Sequence, residues 1–229
     1  MKHDKGFTLV EMLVSMVLLS MVLLIASSAY SMFSERWNGR LGHFNQSVKH
    51  AKQLILVQES LEGIISYVVT NDQEQSRMYF EGNRNGFVAV TLRSLFTPEV
   101  SAVMRLQIIQ KDDFTFTLIY QEATMTERLL IKAQQPLIFS EPIVLFDNLS
   151  QVNFQYFGWP SVASKYWQED SSIGIRPAKA WFDKYNSLDI SLQPEQVRIT
   201  FTTEQGDFIL QTKLSDSDPN ALFNYSVQE

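Results

Sequence analysis

Few groupings along this chain have residue types and spacing suited to chemistry. Its three histidines are His3, His43 and His50. His43 and His50 fall on one face of a helical stretch with no carboxylate or third imidazole beside them, the setting of solvated helix histidines rather than of a metal site. Asp216-Ser217-Asp218-Pro219-Asn220 alternates oxygen ligands as a calcium loop does at its start, which makes Asp216, Asp218 and Asn220 the candidate metal ligands. The glycine and the distant glutamate of that motif are missing and Pro219 stiffens the segment, so a solvated turn is the plainer account. Glu59 with Glu62, and Asp112 with Asp113, pair carboxylates as acid–base catalysis would, yet nothing places either pair in a pocket. Gly-x-Ser-x-Gly, Walker, Gly-x-Gly-x-x-Gly and His-Glu-x-x-His motifs are absent. No catalytic residue and no cofactor is assigned. The acid in the most unusual setting is Glu11, at the head of a long apolar run, where a carboxylate is costly unless it has a partner.

The elements that hold these residues are bounded by composition. The chain has 229 residues, room for one ordinary domain and an extra element. Its net charge of −6 leaves no broad basic surface, so nucleic acid is not an expected partner. The absence of cysteine removes disulfides, thiolate metal sites and cysteine nucleophiles together. Apolar residues, 45% of the whole, crowd into the first 33 positions.

From Met12 to Ser34 there is no charged residue. As a helix, residues 7–29 would be about 35 Å long, enough to cross a hydrocarbon core of roughly 30 Å. An ordinary signal peptide cut near Ala26-Ser27-Ser28-Ala29 would need a shorter apolar region without a glutamate. A plain signal anchor explains the hydrophobicity and leaves Glu11 unexplained.

The stretch Lys5-Gly6-Phe7-Thr8-Leu9-Val10-Glu11 and the apolar run behind it resemble the class III leader junction of type IV pilins and type II secretion pseudopilins. The resemblance implies a leader of residues 1–6, cleavage between Gly6 and Phe7 by a prepilin peptidase, and N-methylation of Phe7. It implies a helix whose N-terminus faces the cytoplasm, anchored in the inner membrane, with the C-terminal domain in the periplasm. Lys2 and Lys5 before the helix are balanced by Arg36 and Arg40 after it, so charge alone leaves this orientation open. Cleavage would put a charged amine on Phe7 four residues before Glu11. That amine, from the same or a neighbouring chain, is the natural partner for Glu11 in a helical bundle. In the family that the junction resembles, a tip subunit can lack this glutamate because nothing lies ahead of it, so the resemblance implies a place below another subunit.

Beyond the anchor, Trp37, Leu41, Phe44, Val48, Ala51, Ile55, Leu61, Ile64, Ile65 and Val68 recur at three- and four-residue steps against a polar face. One helix over about 7–69 is expected, apolar all round over 7–29 and amphipathic over 30–70, with Gly39 and Gly42 as soft points. The period then changes. Strands are expected near 77–81, 86–93, 102–110, 113–120, 128–133, 137–146, 149–157, 196–202 and 207–214, with hairpin breaks at Lys111-Asp112-Asp113 and Glu204-Gln205-Gly206. Residues 71–229 thus read as an antiparallel β domain packed on one helix, an α+β arrangement, and the resemblance implies the type IV pilin-like fold.

Residues 158–195 break the strand rhythm and hold Trp159, Trp167 and Trp181, which predicts a long ordered loop. Asn153-Phe154-Gln155-Tyr156, this loop, and the return through Leu192-Gln193-Pro194-Glu195-Gln196-Val197 resemble the C-terminal half of J-type minor pseudopilins and the related W-type minor pilins. Gln193 departs from their Leu-Pro-x-x-Val step. The functional expectation is a structural subunit, a minor pseudopilin or minor pilin, that assembles with other pseudopilins or pilins to initiate or cap a fibre. The alternative is a secreted or anchored binding module that uses the aromatic loop.

Overall fold

The computed structural model describes residues 9–166, 177–203 and 206–214, without the side chains of residues 36, 38–47 and 50. The chain divides into two compact units, Met1–Lys52 and Gln53–Glu229. The first contributes most of helix α1, Leu9–Glu62. Gly39 and Gly42 do not interrupt it.

In the second unit, Gln53 to Glu62 completes α1, with Val57, Leu61 and the following Ile64 buried in the main core. The helix stops at Glu62 rather than near residue 69. Gly63 still donates to Glu59 O at 3.1 Å, after which the chain turns extended. Ile64-Ile65 and Val68-Val69-Thr70 are β-branched and favour that state. A place is also open for them. Strand β3 (Phe80–Asn83) pairs with β4 (Gly86–Thr91) only as far as Ala89. Ile65 N–H therefore donates to Val90 O at 3.0 Å, and Leu92 N–H to Gly63 O at 2.9 Å.

Two sheets follow. Strands β3 and β4 join β5 (Ala102–Gln110), β6 (Phe116–Thr124), β7 (Ile143–Leu149) and β10 (Tyr185–Asn186) in a six-stranded antiparallel sheet of order β10-β3-β4-β5-β6-β7. The second has order β12-β11-β8-β9, from β8 (Gln151–Gly158), β9 (Ala180–Phe182), β11 (Gln196–Thr203) and β12 (Gly206–Lys213). A short ribbon pairs β1 (Val68–Thr70) with β2 (Ser76–Met78). Helix followed by antiparallel sheets is the α+β layout expected of a type IV pilin-like fold.

Strand alternation sends Phe80, Phe87, Leu118 and Tyr120 from one sheet against Phe154, Tyr156, Ile199 and Phe201 from the other. Phe146 and Phe201 lie 4.8 Å apart between ring centres, and Phe80 meets Tyr156 edge-on at 5.5 Å. Tyr156 Oη donates to Asn83 O or Gly86 O, each at 2.8 Å, so the polar end of this buried ring ties the β3–β4 hairpin to β8. Strands β7 and β8 are one path that bends at Asn148, whose φ is 54°, and changes sheet after Leu149.

Three further expectations need correction. Residues 128–133 form no strand; Thr70 N–H donates to Ile131 O and Ala133 N–H to Thr70 O, an isolated parallel bridge at Lys132. Leu130, Leu137 and Phe139 instead cover the second face of the six-stranded sheet, against Val90, Val103 and Ala123, which also explains why the strand expected over 137–146 starts only at Ile143. The loop 158–195, expected to be poor in strands, gives β9 to one sheet and β10 to the other, with Asp183-Lys184 between them. Gln193, the departure from the minor-pilin pattern, is buried and donates to Ile65 O at 3.2 Å. It closes the loop onto the segment that follows the helix.

Candidate functional site

Within the first unit, residues Leu9–Glu35 form a 27-residue apolar stretch of mean hydropathy 2.6 in which no residue is buried. At about 1.5 Å per residue it spans about 40 Å, more than a hydrocarbon core. Leu9 is 81% exposed, Leu24 68% and Ile25 70%, and these residues lie on different sides of the helix. An all-round apolar helix is stable in lipid or among other helices, not in water. Two of its hydroxyls are folded back on the backbone, Ser15 Oγ donating to Glu11 O at 2.7 Å and Ser20 Oγ to Met16 O at 2.8 Å. Glu11 is exposed in the first turn of α1, where the positive end of the helix dipole favours an acid.

Residues 1–27 match the prokaryotic N-terminal methylation motif. No curated protein matches the chain. The motif supports a pilin or pseudopilin type of subunit, a structural rather than enzymatic class, with pilin-type partners and processing by prepilin peptidase. The apolar helix fits a single-pass membrane anchor of such a subunit. Gly6 and Phe7, the expected cleavage and methylation positions, lie outside the described residues, as do His3, Trp167 and the calcium candidates Asp216, Asp218 and Asn220. His43 and His50 are in α1 but their side chains are not described. Among the described residues no group of three or more acidic or histidine side chains is placed to hold a metal ion.

The other sequence candidate, the aromatic loop, is engaged with its own domain. Trp181 is half-buried, packed 5.2 Å from the Phe157 ring centre, with the Arg198 guanidinium 3.7 Å above it. Trp159 is half-buried too, with Lys179 Nζ 5.2 Å from its ring and its carbonyl accepting from Tyr185 Oη at 3.1 Å. Burial pushes the Tyr185 hydroxyl above its ordinary range, so it stays a donor. An open cleft of about 690 Å³ lies between the β3–β4 hairpin and β5. Two of the cations that line it are engaged: Arg84 pairs with Asp183 and holds that carboxyl below its usual range, and Arg105 lies 4.1 Å over Phe139. No nucleophile–base pair lines it.

Sequence reasoning missed Glu122. This buried carboxylate accepts from Tyr120 Oη at 2.6 Å, Leu95 N–H at 3.0 Å, Phe96 N–H at 3.2 Å and the Ser94 hydroxyl. Burial first, and then the bond to Glu122, push the Tyr120 hydroxyl far above its ordinary range. The available signal was register: Glu122 follows Leu118 and Tyr120 at steps of two and must share their inward face. It is a structural clamp on the loop after β4, not part of a reactive site.

Proposed function

We propose that the chain is a minor pseudopilin or minor pilin, a structural subunit that joins other pilin-like proteins to initiate or cap a fibre for type II secretion or type IV pilus biogenesis. The observation that carries the reading is the methylation motif at the head of an all-round apolar helix whose first turn holds Glu11. On this reading residues 1–6 are a leader, prepilin peptidase cuts after Gly6 and methylates Phe7, and residues 7–29 anchor the chain in the inner membrane. The N-terminus is cytoplasmic and the β domain periplasmic. Glu11 pairs with the Phe7 amine of a neighbour. The tryptophan excursion that returns through Leu192-Gln193-Pro194 favours a J-type or W-type minor subunit.

The half-buried, cation-covered Trp159 and Trp181 weigh against a binding module that works through this loop. Intact mass and N-terminal peptide analysis of protein extracted from membranes tests the proposal. The expected terminus is N-methyl-Phe7; a terminus at Tyr30 would restore the ordinary signal-peptide reading.

A further inference from the structure

The four long-sheet edges of the β domain are not alike. Strand β9 has three residues and β10 two, too short to template another strand. Strand β7 pairs irregularly with β6 and bends at Asn148. Strand β12 has neither protection: it runs eight residues in unbroken register with β11 and contains no proline or bulge.

Its hydrogen-bonding direction follows from one bond. Leu214 N–H donates to Glu195 O at 2.8 Å, continuing the ladder past the Gln196–Lys213 pair. In an antiparallel pair alternate residues face the partner, so Leu214, Thr212, Leu210 and Phe208 bond to β11. The N–H and C=O groups of Asp207, Ile209, Gln211 and Lys213 therefore point to the open edge. Among the described residues no backbone group bonds there. The same four side chains are exposed on the outer face, Ile209 at 66%.

We propose that this edge is a docking surface for β12 of a second copy of the chain, joined antiparallel about a two-fold axis at Leu210. That register sets Asp207 opposite the partner's Lys213, twice by symmetry, and Ile209 opposite the partner's Gln211. It places all four edge-facing residues in hydrogen-bonded pairs. A two-residue slip leaves an end residue unpaired and stacks Ile209 on Ile209 or Gln211 on Gln211, with Asp207 no longer facing a lysine. A one-residue slip opposes edge-facing to core-facing residues and turns one sheet over. Charge and backbone geometry thus select the same pairing, an isologous contact that merges two four-stranded sheets. Lys213 makes no ion pair among the described residues, so its charge is available.

The inference does not depend on the fibre role. Its test uses full-length protein in detergent, carrying two different tags, with capture of one tag by the other as the readout. Wild type captures itself. Asp207→Lys or Lys213→Asp alone opposes like charges at both ends, and self-capture falls roughly tenfold. Mixing the two single variants restores capture, because each lysine then faces an aspartate. Ile209→Pro deletes an edge-facing donor that β11 does not use, so it abolishes self-capture while the melting temperature of the domain holds. Wild-type protein that does not capture itself, single variants that capture as well as wild type, or a mixture no better than either variant alone each overturns the proposal. Self-association through the apolar helix gives the second of these results, and an edge covered by the chain's own C-terminal residues gives the first.

Discussion

Glu122 carries a carboxylate into the interior on the face of β6 that also presents Leu118 and Tyr120. It stays there because four donors meet it, two of them backbone N–H groups of the loop Ser94 to Thr97. Ser94 Oγ in turn accepts from Thr97 N–H at 2.7 Å, so the carboxylate fixes the whole turn between β4 and β5. Removing the acceptor strands buried donors, and each stranded group costs about 1–3 kcal/mol. Glu122→Ala is therefore expected to destabilise the β domain by about 3–5 kcal/mol. Glu122→Gln keeps one acceptor oxygen but turns an N–H₂ toward donors, and should cost about 1–2 kcal/mol. Urea titration of the full-length protein in detergent, read by pulse proteolysis, checks both values. Equal losses for the two variants would mean that shape, not hydrogen bonding, holds the turn.

At the scale of elements, the end of α1 meets the sheets at a close approach around Gly63. A Cβ on Gly63 would come 2.4 Å from Thr91 Oγ1 and 2.7 Å from Arg93 Cβ. Thr91 Oγ1 is not free to move aside, because it accepts from Arg93 N–H at 3.0 Å. Gly63→Ala should thus destabilise by about 1–3 kcal/mol despite the better helix propensity of alanine. A thermal melt of the variant that matches or exceeds wild type would show that the strand end yields. This join also marks where the sequence misleads. Ile64, Ile65 and Val68 keep the three- and four-residue spacing of the helix, yet they face inward as extended chain, Ile64 and Val68 buried and Ile65 half-buried. Periodicity reports which residues face the core and not which backbone brings them there. The hairpin at Lys111-Asp112-Asp113 was legible, but the strand after it begins at Phe116 and not Asp113. Asp113 Oδ1 accepts from Thr115 N–H and Oγ1, which holds Phe114 at a φ of 62° inside the turn. Strands of two or three residues such as β10 and β9 are shorter than any alternation can register, so the stitching of the two sheets by residues 158–195 was invisible. The apolar head of α1 was plain because length and composition alone define it.

For the whole molecule, the proposed function makes Glu11 the residue to test, because on that reading it separates insertion from assembly. A carboxylate in the first turn of an apolar helix makes insertion harder, so Glu11→Ala and Glu11→Val should reach the membrane at least as well as wild type. Assembly should respond in the opposite sense. In a bundle of such helices the Phe7 amine of one chain lies in a low-dielectric setting, and losing its counter-charge costs about 3–5 kcal/mol. Glu11→Gln keeps shape and hydrogen bonding but drops the charge, so it should fall between wild type and Glu11→Ala. The measurement is co-purification or cross-linking with partner pilin-like subunits from native membranes, normalised to the membrane level of each variant and to the fraction processed at Phe7. Normalisation matters, since a variant that is never cleaved has no Phe7 amine to lose. The β12 variants Asp207→Lys and Lys213→Asp serve as controls in the same assay, because they leave the helix untouched and should leave its assembly intact. Glu11→Ala that is processed, inserted and co-assembled at the wild-type level would remove the charge pair from the account. The apolar helix would then be sufficient for assembly as well as anchoring.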